Sequence, residues 1–230
     1  MNLTVSASPH IRGKDTTARL MLDVVIALLP ALAAGMLFQG PRAGLVAAVC
    51  VLSALAGEWL LRLVLRRHNT LPDGSALVTG LLLALTLPAS APYYVAAAGG
   101  LFAVVVVKGL CGGLGQNTFN PALGARAFLM LLFPACLTRF PALGSALFLG
   151  ELNPADVVTG ATPLHHMQMP ALPDVSLLDL FLGRAGGCIG EVSALALLLG
   201  GGWLVFRRVI TLRIPAAYLA SVAVLTLLFP

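Results

Sequence analysis

Charged residues are scarce in this sequence, and most of the chain is apolar. Of its 230 residues, 10% are charged and 59% are hydrophobic, whereas about a quarter of the residues in a soluble domain are charged. The mean hydropathy is +0.96. The apolar runs are continuous over about 20 residues, the length of a helix that crosses a bilayer. The composition leaves no room for a sizeable soluble domain and predicts an all-α, polytopic membrane helix bundle.

Cysteine is scarce as well. The sequence has four cysteines, and no two of them form a Cys-x-x-Cys pair: Cys50, Cys111, Cys136 and Cys188. The ligand spacing of a structural zinc site or an iron–sulfur cluster is therefore missing. We predict packing roles for these side chains, and their spacing does not decide whether any of them form a disulfide.

The formal net charge is +5, but the basic residues do not gather on a soluble module. They lie at the ends of apolar runs, as in Arg66-Arg67-His68 and Arg207-Arg208. This is the positive-inside pattern of a membrane protein, and it argues against nucleic acid as a partner. The pattern places residues 1–19, a polar segment without a cleavable signal peptide, on the cytoplasmic side.

Five apolar segments follow and form a predicted first membrane repeat, residues 20–137. A turn at Gln39-Gly40-Pro41 separates the first two segments. The third is too short for a comfortable crossing, and we predict a broken helix there, because irregular backbone at membrane depth must be satisfied by protein or a cavity. The five segments are residues 20–38, 43–65, 75–88, 93–110 and 122–137.

Three acidic residues are candidates for an ion pathway. Asp23 lies one turn inside the first segment, where contact with the interface or with another helix is the favoured interpretation. Glu58 lies four residues before Arg62, so a local ion pair is favoured there as well. Glu191 lies near the start of the predicted sixth segment. An ion-pathway role stays open for all three.

A glycine-rich stretch follows the fourth segment and includes Gly112, Gly113 and Asn117. Glycine permits positive φ and close backbone approach, and Asn120 before Pro121 predicts an N-cap for the fifth segment. The stretch has no Gly-Lys-Ser/Thr ending and follows no strand, so a nucleotide-binding P-loop is disfavoured. From these residues alone, a tight turn between two helices is as good an interpretation as a binding loop.

A polar turn, Asp156-Val157-Val158-Thr159-Gly160-Ala161-Thr162-Pro163, lies in the longest weakly hydrophobic segment. A threonine hydroxyl is a poor nucleophile unless a base or a modifying enzyme activates it. Gly160 and Ala161 leave the backbone before Thr162 unshielded, and Pro163 stiffens the backbone after it. By itself, Thr-Gly-Ala-Thr is better interpreted as an unmodified turn than as an attachment site.

Together these stretches resemble one family of membrane proteins. It comprises the D subunits of Rnf-type ferredoxin:NAD⁺ oxidoreductases and the B subunits of sodium-pumping NADH:quinone oxidoreductases. The resemblance extends from about residue 12 to the end of the chain, and the compact N-terminus is more similar to the Rnf branch. It rests on residues 73–82, residues 112–122, Arg126-Ala127-Phe128 and the motif that ends at Thr162.

The resemblance implies a covalent cofactor. In this family a flavin transferase joins FMN through its phosphate to the last threonine of the motif, which is Thr162 here. Asp156, Thr159, Gly160 and Ala161 would present this hydroxyl to the transferase and then shape the flavin site.

The resemblance also implies flavin contacts at Gly112, Gly113, Asn117, Asn120 and Arg126. It leaves room for a second, noncovalent flavin or a quinone. An arginine one turn into an apolar segment must face a partner or a cavity rather than lipid. Arg126 would steady a reduced flavin or a quinone oxygen, or it would pair with a carboxylate such as Asp73. Both interpretations stay open.

Counting crossings from a cytoplasmic N-terminus places residues 138–187 outside the cell membrane. This loop carries the Thr162 motif and His165-His166, which we interpret as solvated residues because no third metal ligand is near. Residues 188–206 and 216–230 are the predicted sixth and seventh segments. Because the family has two inverted five-helix repeats, residues 188–230 would begin a second, incomplete repeat, in a truncated chain or a shortened relative.

The implied function is that of a subunit, not an enzyme by itself, in an ion-translocating electron-transport complex of a bacterial cytoplasmic membrane. Covalent FMN would relay electrons between the other subunits of an Rnf-type complex. Two alternatives stay open: a small-solute channel or transporter, which broken helices suit equally well, and a cofactor-free membrane scaffold. The sequence does not name the electron donor, the electron acceptor or the translocated ion.

Overall fold

A computed structural model describes residues 16–66, 71–110, 117, 119–140, 177–183 and 186–228. Within these ranges every regular element is helical, which confirms the predicted all-α fold. α4 is α-helical over Tyr93–Phe102 and π-helical over Ala103–Leu110. The helices are α1 (Thr17–Gln39), α2 (Pro41–Leu65), α3 (Ser75–Leu85), α4 (Tyr93–Leu110), α5 (Pro121–Leu132), α6 (Pro134–Leu137), α7 (Leu177–Leu182), α8 (Ala194–Phe206) and α9 (Arg213–Leu228).

Three of these helices, α1, α2 and α4, are long and apolar enough to cross a membrane. They have 23, 25 and 18 residues, and at about 1.5 Å per residue each spans most or all of a ~30 Å hydrocarbon core. Large apolar side chains such as Leu37 and Leu52 are exposed on their outer faces, where lipid would cover them. The prediction of a multi-pass membrane protein is therefore confirmed.

α1 and α2 are joined by a single residue and fold back on each other. Gly40 has a φ of 88°, in the region that favours glycine, and Pro41 opens α2 with a φ suited to the first helical position. The predicted turn is confirmed. At the start of α1, the side-chain oxygen of Thr16 accepts a hydrogen bond from the amide of Arg19, which fixes where the helix begins.

The short helix α3 lies at the centre of the bundle. Nearly all of its 11 residues are buried, and it packs against α1, α2, α4 and α5. A Cβ on Gly80 would lie 2.8 Å from the Cα of Val51 on α2, so only glycine allows this approach. Close packing of small residues is a main source of affinity between membrane helices. The broken helix predicted at residues 75–88 is confirmed.

The prediction that the fifth segment, residues 122–137, is one continuous helix is wrong. α5 has 12 residues, about 18 Å of helix, and α6 has only four. The two helices part at Phe133, with φ −131° and ψ 52°, because a proline disfavours the helical conformation of the residue before it. α5 is thus a second half-length helix, and it packs against α3.

The predicted sixth segment, residues 188–206, begins too early. α8 starts at Ala194 because the side-chain oxygen of Ser193 accepts a hydrogen bond from the amide of Ala196 and caps the helix. Residues 188–192 form a loop, mostly buried, instead. α9 corresponds to the seventh segment. The division into repeats and the location of residues 138–187 outside the membrane stay predictions.

Candidate functional site

Most of the predicted flavin site lies outside the described residues, and its roles stay predictions. This holds for Gly112, Gly113, Asp156, Thr159, Gly160, Ala161 and Thr162. The two histidines interpreted as solvated residues, His165 and His166, also lie outside the described residues. The structure does place the remaining three candidates, which are Asn117, Asn120 and Arg126.

Asn120 caps α5, as predicted. Its Oδ1 accepts hydrogen bonds from the amides of Ala122 and Leu123, at 3.0 and 3.4 Å. Asn117 has a buried Oδ1 with no hydrogen-bond partner within the described ranges. Buried acceptors in folded proteins are normally satisfied, so the donor for this oxygen comes from water, from a ligand or from a residue outside those ranges.

Arg126 contacts a cysteine rather than a carboxylate. Its Nη1 donates to the Sγ of Cys188, 3.5 Å away. Asp73, the carboxylate suggested as its partner, instead accepts hydrogen bonds from the amide and the hydroxyl of Ser75. The suggested Arg126–Asp73 pair is therefore wrong, and a contact of Arg126 with a flavin or a quinone stays a prediction.

The loop between α7 and α8 docks on the C-terminal end of α3. The amide of Gly190 donates to the carbonyl of Leu85 at 2.8 Å, and the amide of Ile189 donates to the carbonyl of Leu87 at 2.9 Å. The bond to Leu85 satisfies a carbonyl that the end of α3 leaves open, and the bond to Leu87 satisfies a carbonyl two residues beyond the helix. They hold the chain that follows the Thr162 motif at one end of the bundle.

Arg42 fixes the α3–α4 connection at the same end. The side chain is 1% exposed. Its Nε donates to the carbonyl of Ala89 at 3.1 Å and its Nη2 to the carbonyl of Ala91 at 3.4 Å, and its guanidinium lies 4.6 Å from the ring centroid of Tyr93. In the sequence, an arginine beside a turn indicates an interfacial charge, so nothing there revealed this burial.

Asp23 is held by another helix, as the sequence favoured. Arg207, at the end of α8, donates from Nε to Oδ1 at 3.1 Å and from Nη2 to Oδ2 at 3.2 Å. Such a two-pronged arginine–carboxylate pair fixes geometry as well as charge. The pair joins the start of α1 to the end of α8, which accounts for Asp23 without an ion pathway.

Lys108 connects three helices and is 2% exposed. It lies in the π-helical part of α4, and its Nζ is 2.6 Å from the Oε1 of Glu58 on α2 and 2.6 Å from the Oγ of Ser75 on α3. Arg62 lies 4.0 Å from the same carboxylate oxygen. The predicted Glu58–Arg62 pair is present, but Lys108 is the closer partner of Glu58.

We call Glu58, Ser75 and Lys108 the buried polar cluster. Ionisable groups at membrane depth are costly to bury and are concentrated at functional positions, and π-helical turns are often found at functional sites. The part of the chain that the structure describes contains no group of three His, Cys, Asp or Glu residues that could hold a metal ion. The buried polar cluster is therefore a candidate functional feature within the described bundle that uses a lysine and a carboxylate rather than a metal ion.

The described cysteines agree with the packing roles expected of them. Cys50 and Cys188 are buried, Cys136 is partly exposed, and all three are free thiols. Cys111 lies outside the described ranges.

A model of the NQR2, RnfD, RnfE family matches residues 4–230, almost the whole chain. The chain belongs to this family. The resemblance inferred from the glycine-rich stretch and the Thr-Gly-Ala-Thr motif is thereby confirmed.

Several curated relatives in the NQR2, RnfD, RnfE family are D subunits. The chain is 47% identical over 231 residues to the D subunit of the Na⁺-translocating ferredoxin:NAD⁺ oxidoreductase complex of Acetobacterium woodii, covering 99% of this chain and 70% of the relative. It is 35% identical over 237 residues to the D subunit of the proton-translocating ferredoxin:NAD⁺ oxidoreductase complex of Clostridium ljungdahlii, covering 98% and 69%. It is 41% identical over 248 residues to the D subunit of the ion-translocating oxidoreductase complex of Halorhodospira halophila, covering 97% and 70%.

Proposed function

We propose that this chain is the D-type membrane subunit of an ion-translocating ferredoxin:NAD⁺ oxidoreductase complex, and that it carries FMN esterified to Thr162. One observation carries the proposal. A chain 47% identical over its length to a named D subunit contains Asp156 and the complete Thr159-Gly160-Ala161-Thr162 motif. The other subunits of the complex and a flavin transferase are the proposed partners, in a bacterial cytoplasmic membrane.

Attachment at Thr162 requires an activated flavin. The phosphate of FMN does not esterify a hydroxyl unaided, so we infer a flavin dinucleotide as the donor. Attack of the Thr162 oxygen on the flavin-side phosphorus forms the new P–O bond and breaks the phosphoanhydride. A nucleoside monophosphate leaves, and the hydroxyl proton passes to a base of the transferase. No oxidation or reduction accompanies this step.

When bound, FMN supplies one-electron chemistry between partner subunits. The role of this chain is to hold and position the FMN. The loop after the Thr162 motif is anchored by the bonds from Ile189 and Gly190 to the end of α3, which supports a fixed position for the returning end of the flavin-bearing loop. A rigid anchor matters because electron transfer requires the flavin to stay close to its partners.

Asn117 supports the proposal of a second, noncovalent flavin. Its buried Oδ1 has no partner within the described ranges and could accept a hydrogen bond from a flavin ring N–H. Asn120 fits less well, because its Oδ1 already accepts the two amides that open α5. Arg126 keeps a contact with Cys188 that a flavin or quinone would have to share.

The attachment is tested by intact-mass spectrometry of the chain co-produced with a flavin transferase. We expect one added mass, equal to FMN less one water, mapped to the peptide around Thr162, and a fluorescent band on a denaturing gel. Thr162→Ser keeps the hydroxyl and should keep the adduct. Thr162→Val keeps the shape, removes the nucleophile and should abolish the adduct.

The Thr162→Val variant also tests the electron relay in the assembled complex. Thr162→Val should leave the subunit in the complex but remove ferredoxin-dependent NAD⁺ reduction, because the tethered carrier is gone. A scaffold without cofactor predicts unchanged reduction in Thr162→Val. A wild-type chain that gains no mass beside the transferase and conducts a solute would favour a channel instead.

A further inference from the structure

The buried polar cluster has the geometry of an occupied cation site. The ammonium of Lys108 lies 2.6 Å from a carboxylate oxygen of Glu58 and 2.6 Å from the hydroxyl oxygen of Ser75. Carboxylate and hydroxyl oxygens are also the type of ligand that hard metal cations take from proteins. A lysine ammonium is a compact point charge, so it can fill a position of this kind.

The hydroxyl of Ser75 is oriented to act as an acceptor for this charge. Ser75 donates its proton to the Oδ1 of Asp73, so a lone pair of its oxygen faces Lys108. The same Oδ1 accepts the amide of Ser75 at 2.8 Å, and the carboxylate is thereby held against the start of α3, where a negative charge is favoured. Asp73 thus turns a serine hydroxyl into an oriented cation ligand.

The groups that face Lys108 come from separate parts of the chain. Glu58 and Arg62 lie on α2, with Arg62 4.0 Å from the shared carboxylate oxygen, and Ser75 with Asp73 lies at the start of α3. Lys108 reaches them from a π-helical turn, in which the extra residue per turn alters the direction of its side chain relative to an α-helix. The lysine is therefore built into the site by the local distortion of α4.

We propose that Lys108 is a tethered internal cation, whose ammonium fills a monovalent-cation position between Glu58 and Ser75 and thereby keeps Na⁺ from binding there. This goes beyond the proposed electron relay and does not depend on the flavin. It implies that an ion moved by the complex does not bind at Glu58 of this subunit while Lys108 is in place. Replacing Lys108 by a neutral residue converts the position into an Na⁺ site.

The test is the melting temperature of the purified protein at pH 8, in NaCl and in choline chloride of equal concentration. For Lys108→Met we expect a melting temperature in choline about 5–10 °C below that of the wild type, because the buried carboxylate of Glu58 loses the cation that lies 2.6 Å from it. NaCl should recover at least half of this loss. In the wild type, the difference between the melting temperatures in NaCl and in choline chloride should be the same as in Glu58→Gln.

Two controls separate this role from that of an ordinary structural ion pair. Lys108→Met/Glu58→Gln removes both charges and should lose the Na⁺ response. Arg19→Met removes one positive charge at an exposed position and should give no Na⁺ response. An ordinary ion pair predicts equal destabilisation of Lys108→Met in both salts, and that outcome overturns the proposal.

The proposal stays testable if Lys108→Met does not fold. Lys108→Gln keeps a donor for Glu58 and Ser75 without the charge, and it should show the same Na⁺-specific recovery. The comparison of the wild type with Glu58→Gln is independent of both variants. Equilibrium binding of radioactive Na⁺ is measured for the wild type and for Glu58→Gln. If the wild type binds Na⁺ and Glu58→Gln does not, Lys108 does not fill the site and the proposal is wrong.

Discussion

Two buried cations on or against α2 show how single residues are accommodated inside this apolar bundle. Arg42, near the start of α2, is surrounded by loop carbonyls and the face of an aromatic ring. Lys108 meets Glu58 some 16 positions further along, about 24 Å at the helical rise. Arginine suits the first setting because its five donors reach several acceptors at once, and lysine suits the second because its charge is compact.

Arg42→Met should destabilise the chain strongly. The substitution leaves the carbonyls of Ala89 and Ala91 without their donor, and each unsatisfied buried group costs about 1–3 kcal/mol. Thermal unfolding in detergent should therefore show a fall of roughly 5–15 °C, at about 2–4 °C per kcal/mol for a chain of this size. Tyr93→Phe is the matched control, since it removes only the hydroxyl that accepts from Arg42 at 3.4 Å, and it should cost much less. Equal losses in both variants would contradict this account.

At the scale of elements, the bundle is organised by two half-length helices. α3 and α5 have 11 and 12 residues, far fewer than the ~20 of a full crossing. α3 is enclosed by the longer helices, and α5 packs against α3 and α4 while leaving side chains such as Leu131 exposed. At the C-terminal end of α3 the amide of Gly190 donates to the carbonyl of Leu85, and at the start of α5 the side chain of Asn120 accepts a hydrogen bond from the amide of Ala122. Half-length helices are stable at membrane depth only with such partners.

Gly80→Ala and Gly201→Ala should have opposite effects on stability. A Cβ at Gly80 would lie 2.8 Å from a backbone atom of α2, whereas a Cβ at Gly201 in α8 meets nothing within 4 Å. Overpacking at Gly80 should cost about 1–3 kcal/mol, while alanine at Gly201 should gain a fraction of the ~1 kcal/mol that separates the two residues in helix propensity. Melting temperatures of the two variants, measured together, check the contrast. A Gly80→Ala variant as stable as Gly201→Ala would show that α3 is not tightly packed against α2.

For the whole molecule, contacts between distant segments define two ends of the bundle. At one end the start of α1 meets the end of α8 through Asp23 and Arg207, close to the basic end of α2. At the other end the α3–α4 connection meets the chain after α6, where Ser90 donates to the carbonyl of Arg139 at 2.7 Å. The positive-inside rule predicts that the first end faces the cytoplasm.

Cysteine labelling should confirm this orientation. In a background with Cys111 and Cys136 replaced by serine, Arg66→Cys should react with a membrane-impermeant maleimide only in inverted vesicles. Thr138→Cys, at an exposed position near the opposite end, should react only in right-side-out vesicles. Labelling of both residues from one side would show that the predicted count of crossings is wrong. The test matters because the helix predicted just before Thr138 is interrupted between α5 and α6.

The sequence determined the class of protein, the family and the helices whose signals are local. Apolar runs fixed α1 and α2, Gly40-Pro41 fixed the turn between them, and Asn120-Pro121 fixed the start of α5, because hydropathy, φ preferences and caps act within a few residues. The Thr162 motif is also recognisable from the sequence alone. The apolar run continues across Pro134 and predicts an unbroken segment, whereas the proline disfavours the helical conformation of Phe133 and ends the helix there.

Only the tertiary structure decided which polar side chains meet between distant parts of the chain. Lys108 lies 50 residues from Glu58 and 33 from Ser75, and Arg126 lies 62 residues from Cys188. No local pattern encodes these pairs, because they depend on how α3 is enclosed and on a π-helical turn that redirects one side chain. The cost of burying an unpaired charge in apolar surroundings requires that partners exist, and the packing of the bundle selects them.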